Sequence, residues 1–412
     1  MSKQSNIPQL RFKGFEGEWK EIILGDLLTF KNGLNSDKEK YGKGIKFINV
    51  LDILNNNFIT YDNIIGSVEV TEKEFEKNEV SYGDILFQRS SETRAEVGQA
   101  NVYLDRNKSS VFGGFVIRGK AKYEYNPLFM NYLLRTPIAR KEITDKSGGS
   151  TRYNVGQDTL SQVQLTTTTL PEQEKIASFL SAVDEKIQQL TRKAALLEHY
   201  KKGVMQQLFS GKLRFKDENG EEYVDWEEKK LGDVADVRDG THDSPKYVEK
   251  GFPFITSKNL MKDGSIDFEN VSFITEVDYN KINQRSKVNI NDILFGMIGT
   301  IGNPVFVKSD GFAIKNVALI KEKKELLNLF LIHFLKGESI NQQFFEQNTG
   351  GTQKFLSLSI IRNLIIDMPC IPEQQKIAGF LSGIDEKIGV IKCELGKMQG
   401  FKKGLLQRMF VS

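Results

Sequence analysis

The sequence predicts an α+β fold built twice: two globular domains joined by two long helices that form an intramolecular antiparallel coiled coil, a pseudo-twofold duplication. Three observations carry this reading. The stretch 170–209 recurs without a gap at 371–410, an offset of about 201 residues, with nearly half of its positions identical. Both copies place apolar residues at alternating steps of three and four. The segments ahead of the two copies share short anchors, while the residues between those anchors differ.

The helices come first because they set the frame. Ile176, Leu180, Val183, Ile187, Leu190, Ala194, Leu197, Lys201, Val204 and Leu208 form one stripe; Ile377, Leu381, Ile384, Ile388, Ile391, Leu395, Met398, Lys402, Leu405 and Met409 form the other. A stripe of this period held for about five heptads is a coiled-coil seam. Pro171 and Pro372 stand at the first turn, where the missing N–H is harmless, and the adjacent Glu172 and Glu373 suit the positive end of the helix. At 1.5 Å per residue each helix is ~57 Å long. Lys201 and Lys402 occupy the same seam position. A parallel, in-register pair would bury two ammonium groups face to face, whereas an antiparallel pair sets each near the opposite end of the rod, where it can reach water. The intramolecular antiparallel pair is the expectation. Docking of each seam on its neighbouring domain, or on another chain, is the alternative.

These helices divide the chain into a first domain, 1–169, a central helix, 170–210, a second domain, 211–370, and a C-terminal helix, 371–412. Trp19 followed by Leu24-Gly25-Asp26 matches Trp226 followed by Leu231-Gly232-Asp233, and Gly33 matches Gly240. Arg11-Phe12-Lys13 matches Arg214-Phe215-Lys216, and Gly83-Asp84-Ile85-Leu86-Phe87 matches Asn291-Asp292-Ile293-Leu294-Phe295. A Gly-Gly loop recurs at 147–151 and 349–353. Short β-rich runs at 45–50, 84–87, 111–117, 252–255, 292–298 and 312–320 lie between Gly, Asn and Asp turns. Single helices are expected over 127–143 and 326–347.

Composition excludes more than it selects. The chain has 412 residues, 39% apolar and 27% charged, with a net charge of +3. No apolar run is long enough to span a membrane, the first residues lack a signal-peptide core, and two cysteines argue for a reducing, cytoplasmic setting. With near-balanced charge, a nucleic-acid surface has to be a local patch. The three histidines, His199, His242 and His333, form no zinc motif, and neither a phosphate-cradling loop nor a dinucleotide fingerprint is present. Asn303-Pro304-Val305-Phe306 departs from the methyltransferase Asn-Pro-Pro-aromatic element at Val305, and Asp225, Glu227 and Lys229 read as an exposed charged surface. The expectation is a chain that is not an enzyme and holds neither cofactor nor metal.

What remains is a set of polar and basic loops, of the residue types that donate to phosphates and read base edges. The candidates in the first domain are Lys31, Asn32, Asn35, Arg89, Arg94, Arg152 and Tyr153. Those in the second are Arg238, Thr241, His242, Lys246, Tyr247, Ser257, Lys258, Asn259 and Lys354. Arginine suits guanine, Asn and Gln suit adenine, and lysine suits phosphate.

Two runs of the form P-E-Q-x-K-I-A-x-F-L-S-x-(V/I)-D-E-K-I, at Pro171 and Pro372, make the chain resemble the specificity (S) subunits of type I restriction–modification systems. The Leu-Gly-Asp and Asp-Ile-Leu-Phe anchors, 240–246 and 350–354 add to the resemblance, which covers essentially the whole chain. The first domain lacks the Gly-Thr-His and Thr-Gln-Lys elements. The resemblance implies that each globular domain is a target recognition domain reading one half of a bipartite, asymmetric site in double-stranded DNA. It implies that the coiled coil sets the gap between the halves and docks two methyltransferase (modification) subunits. S-adenosylmethionine would then reside in those subunits, and ATP and Mg in an optional restriction or motor subunit. The rival is a non-DNA coiled-coil scaffold that assembles protein partners; a free-standing nuclease or methyltransferase lacks its motifs here.

Overall fold

The computed structural model describes residues 6–299, 302–347 and 356–411. It contains two compact units, one of residues 1–191 with 393–412 and one of residues 192–392. The two long helices are present as Leu170–Phe209 and Ile371–Met409, so each unit holds part of both. No helix among the described residues is long and apolar enough to cross a membrane.

In the first unit an antiparallel sheet runs in the order Leu28–Asn32, Val116–Ala121, Ile85–Gln88, Ala100–Val102. A smaller sheet runs Ser67–Val68, Tyr41–Ile48, Val111–Phe112, the last pair parallel. Strand Lys20–Ile23 pairs with Gln164–Thr167, bringing the start of the segment to the base of the central helix. The second unit repeats this plan. Its main sheet runs Asp236–Asp239, Val317–Lys321, Ile293–Gly296, Gly302–Phe306, and a second sheet ends in the parallel pair Phe252–Thr256 and Ala313–Lys315. Glu227–Lys230 with Ile365–Met368 closes it. The Asn-Pro-Val-Phe run is therefore an outer strand of this sheet, with Val305 buried.

The repeated motifs explain themselves as joints. Ile85, Leu86 and Phe87 fill a central strand buried throughout, and the Asp84 carboxylate before it accepts from the Ser81 N–H at 3.0 Å; Asp292 does the same for Asn289 at 2.8 Å. Gly83 at φ 90° and Asn291 at φ 72° occupy the left-handed turn ahead of these aspartates, where Gly and Asn are tolerated. The Glu of Pro-Glu-Gln is a buried clamp. Glu172 takes two hydrogen bonds from Arg11, at 2.7 and 2.8 Å, and Glu373 takes two from Arg214, at 3.2 and 2.8 Å. Each arginine is correspondingly held above its ordinary pKa by the carboxylate bonded to it. The adjacent glutamines accept from the N–H of Asn126 and of Leu327, both at 2.9 Å, and so tie the long helices to the small ones.

Seam residues are buried as the periodicity requires, among them Ile176, Leu180 and Leu190 of one helix and Leu381, Ile391 and Leu405 of the other. Within the first unit Lys402 pairs with Asp184 at 2.5 Å and Lys186 with Glu394 at 3.4 Å; within the second, Lys201 pairs with Asp385 at 2.6 Å and Lys392 with Glu198 at 2.6 Å. Partner numbers fall as residue numbers rise, so the strands of the rod are antiparallel in both units. One expectation needs correcting. The seam lysines do not run out to water; each is largely enclosed and neutralised by an aspartate of the facing helix.

Four further segments differ from expectation for local reasons. The helix expected over 127–143 is two, Pro127–Leu133 and Pro137–Asp145, because Thr136 before Pro137 is extended and caps the second helix through Ala139. The helix expected over 326–347 likewise breaks before Glu338, at Gly337. The runs at 111–117 and 312–320 each change sheets midway, at 113–115 and at Asn316, whose φ is 53°.

Candidate nucleic-acid interface

Those sheet-switching points place the candidate loops together. In the first unit the loop after Leu28–Asn32 lies against the switch, with the Leu34 N–H donating to the Phe112 carbonyl at 2.9 Å. A Cβ on Gly33 would stand 2.2 Å from the Gly113 oxygen, so only glycine permits this approach. The Arg89 N–H donates to the Phe115 carbonyl at 2.9 Å, and the Arg89 side chain to the Gly114 carbonyl at 3.3 Å. Tyr153–Asn154 pairs with Ser90–Ser91, and the Val155 N–H donates to the Arg89 carbonyl. Asn32, Asn35, Arg89, Arg152 and Tyr153 thus come from distant sequence positions onto one stretch of surface. Asn32, Asn35, Arg89 and Arg152 are exposed, and Tyr153 is half-buried against the core. The Arg152 side chain bonds to no described residue.

The remaining two candidates of this unit are tethered. Arg94 donates to the Thr144 and Asp145 carbonyls. Lys31 donates to the Lys77 carbonyl, and its pKa is depressed by burial and by the nearby Arg118 and Lys77. Phe115, 64% exposed beside Arg89, was not a candidate; an apolar residue in a loop carries no signal of exposure in sequence.

The second unit redistributes its candidates. Arg238, a promising arginine by sequence, is taken up by Asp236, which receives both its Nε and a second nitrogen, and by the Arg285 carbonyl at 3.0 Å. The Asp236 bond raises the Arg238 pKa. His242 has both ring nitrogens occupied, one 2.8 Å from an Asp239 oxygen and the other 2.7 Å from the Asn316 side-chain oxygen. It has no ring N–H left to donate to a base. Ser257 and Asn259 are buried, at 4% and 7% exposure. Ser257 bonds the Asn316 carbonyl and the Met297 N–H, while Asn259 caps Thr256 and bonds the carbonyls of Asp267 and Asn270. These two shape the loop and cannot reach a ligand. The half-buried Thr241 accepts from the Asp243 N–H. Lys246, Tyr247 and Lys258 are exposed, and neither lysine bonds to a described residue. Lys354 lies outside the described residues.

Sequence reasoning missed Arg285. It stands one position before the end of the helix Glu276–Ser286 and bonds Asp239, 46 residues away in sequence, so no local pattern marks it.

One scaffold is repeated, and its two copies carry unlike sets of exposed polar loops. The model for the type I restriction modification DNA specificity domain matches residues 16–199 and again 223–396, and the chain belongs to that family. The MjaVIII type I restriction enzyme specificity subunit of Methanocaldococcus jannaschii is 23% identical over 98% of this chain and 95% of its own length. The MjaIX specificity subunit of the same organism is 26% identical over 90% and 87%. The fold is similar to the crystal structure of the S subunit of the type I restriction–modification system from M. genitalium, with a TM-score of 0.63 at 17% identity over 98% of this chain and 99% of that one. It is also similar to a chain from a study of complex assembly and conformational transition in the type I R-M system, at TM-score 0.53, 16% identity and coverage of 94% and 95%.

Proposed function

We propose that this chain is the DNA-reading subunit of a type I restriction–modification complex, in which each unit reads one half of a bipartite, asymmetric site. The observation that carries the reading is the duplication itself: clamps, sheets and seam ion pairs repeat, while the exposed loop residues do not. Two identical readers would need a symmetric target; two different ones need an asymmetric target. Arg89, Arg152, Asn32 and Asn35 would contact DNA in the first unit, and Lys246, Tyr247 and Lys258 in the second, with Lys354 as a further candidate. Base edges would be read by arginine and asparagine, and phosphates held by lysine.

The paired helices would set the gap between half-sites and dock two methyltransferase subunits. Exposed Leu196, Tyr200 and Val390 on the outer faces of the second unit's helices support docking, since solvent-facing apolar groups on a rod suit a protein partner. This chain would catalyse nothing itself. S-adenosylmethionine would be bound by the methyltransferase partners, and ATP with Mg by a restriction or motor subunit where one joins.

Selection from a randomised duplex pool, with and without co-expressed modification subunits, tests the reading. A two-part motif with a fixed gap is expected. No enrichment in the presence of the partners would leave the protein-only scaffold as the better account. Deleting about one heptad from one helix should alter the gap and leave both half-sites intact; altered half-sites would defeat the spacer role.

A further inference from the structure

We propose that Arg285 reads a guanine in the half-site bound by the second unit, and that Asp239 is the positioning residue that holds it for this task. The inference rests on the reading above and names one of its base contacts.

The two units supply the argument. Hydrogen bonds fix which residues correspond. Lys31 donates to the Lys77 carbonyl in the first unit, and Arg238 donates to the Arg285 carbonyl in the second. Lys31 and Arg238 stand one position before the end of equivalent strands, Leu28–Asn32 and Asp236–Asp239. Lys77 and Arg285 stand one position before the end of equivalent helices, Glu72–Asn78 and Glu276–Ser286. Asn32 therefore corresponds to Asp239, and Lys77 to Arg285.

The substitutions at these places change the chemistry. Asp239 is buried, and each of its oxygens serves a different side chain: one accepts from Arg285, the other lies 2.8 Å from His242. His242 is braced on its other side by Asn316, so the carboxylate itself is held in one orientation. Arg285 is exposed, at 67%, and bonds through its side chain to Asp239 alone among the described residues. A guanidinium carries five N–H donors in a rigid plane. One is engaged, and the free remainder includes an edge able to donate twice. That edge, directed by a fixed carboxylate, is the geometry for the paired O6 and N7 acceptors of guanine in the major groove. Holding a flexible side chain in place before binding also removes part of the ordering cost of the contact.

A phosphate contact is the other use for an exposed cation, and the first unit supplies the comparison. There the corresponding cation is Lys77, a point charge on a flexible stem, with the uncharged Asn32 in the place of Asp239, and its side chain bonds to no described residue. Nothing directs it. The burial of an aspartate solely to orient Arg285 and His242 has no purpose for a diffuse phosphate contact, and it weakens one by partial neutralisation.

The test uses the full chain co-expressed with its modification subunits and selection from a randomised duplex pool. Wild type should show one guanine in one half-site, preferred by roughly tenfold to a hundredfold. Arg285→Ala and Arg285→Lys should both lose that preference at that position, leaving the other half-site and the gap unchanged. Lysine keeps the charge without the paired donors, so the Lys variant decides the matter if the Ala variant folds poorly. Asp239→Asn should relax the same position and no other, which general destabilisation would not do. Equal loss of affinity for every sequence, with the salt slope shallower by about one, would make Arg285 a phosphate contact and overturn the proposal. A two-part motif unchanged by Arg285→Ala would overturn it while sparing the broader reading. Failure of wild type to enrich any motif would sink both.

Discussion

Asn32 and Asp239 end the same strand in the two units, yet one is an exposed amide and the other a buried carboxylate bracing two side chains. The same contrast recurs one turn away. Arg89 is exposed in the first unit; its counterpart Met297, which offers its carbonyl to Leu356 as Arg89 does to Val155, is buried in the second. By comparison, Glu172 and Glu373 each hold an arginine, Gln173 and Gln374 each accept the N–H at the start of a small helix, and Asp184 and Asp385 each pair with a seam lysine. The difference teaches where each kind of constraint acts. Residues that join helix to domain are repeated because the joint is the same. On the proposed reading, residues that face outward differ because the half-sites they meet differ.

The clamps give the largest expected effects. Replacing Glu373 with alanine leaves Arg214 without its buried carboxylate and Trp226 without its acceptor, and should destabilise the second unit by about 3 kcal/mol. Glu172→Ala should have a similar effect on the first. Urea denaturation of the two variants checks this; a loss below about 1 kcal/mol in either would show that the clamp is a surface ion pair in effect.

A smaller effect belongs to the turn aspartate of the first unit. Burial raises the Asp84 carboxyl to about 6, against the partial offset of its Ser81 hydrogen bond and of Arg118 at 4.0 Å. Its pKa is higher folded than unfolded, so the folded chain binds the extra proton. Stability from this group is present at low pH and lost as pH rises from about 4 through about 6. Wild type should therefore fall relative to Asp84→Asn across that window, by on the order of 2 kcal/mol. A flat difference between pH 4 and 7, measured by chemical denaturation, would contradict the burial of the charge.

The seam pairs should differ from each other. Asp184 is more enclosed than Asp385, and it also accepts from the Tyr132 hydroxyl at 2.8 Å. Asp184→Ala should destabilise by about 2 kcal/mol and Asp385→Ala by about 1 kcal/mol. Equal values from denaturant titration would mean that the pairs act alike despite their surroundings.

The smallest effect is the most pointed. Asn32→Asp combined with Lys77→Arg copies the Asp239–Arg285 pair into the first unit. A weak guanine preference, about threefold to fivefold by analogy with one imperfect base contact, should appear in the half-site that Arg285→Ala leaves untouched. Its absence in a pool selection, with the second unit's half-site and the gap retained, would show that the brace from His242 and Asn316 is indispensable.

The sequence by itself determined the duplication, the two helices and their antiparallel sense. The first two rest on periodicity and exact repetition along the chain; the antiparallel sense followed from Lys201 and Lys402 at one seam position, although it is the facing aspartates, not water, that receive those lysines. It also showed which loops are polar. Only the tertiary structure decided which polar groups remain available. Arg238, His242, Ser257 and Asn259 have the right chemistry but are engaged by partners such as Asp236, Asn316 and Asp267. Arg285, in no recognisable motif, is left with free donors because a helix ends beside a buried aspartate 46 positions away. Hydrogen-bonding capacity is consumed by whatever lies nearest in space, and nearness in space is what a one-dimensional pattern does not carry.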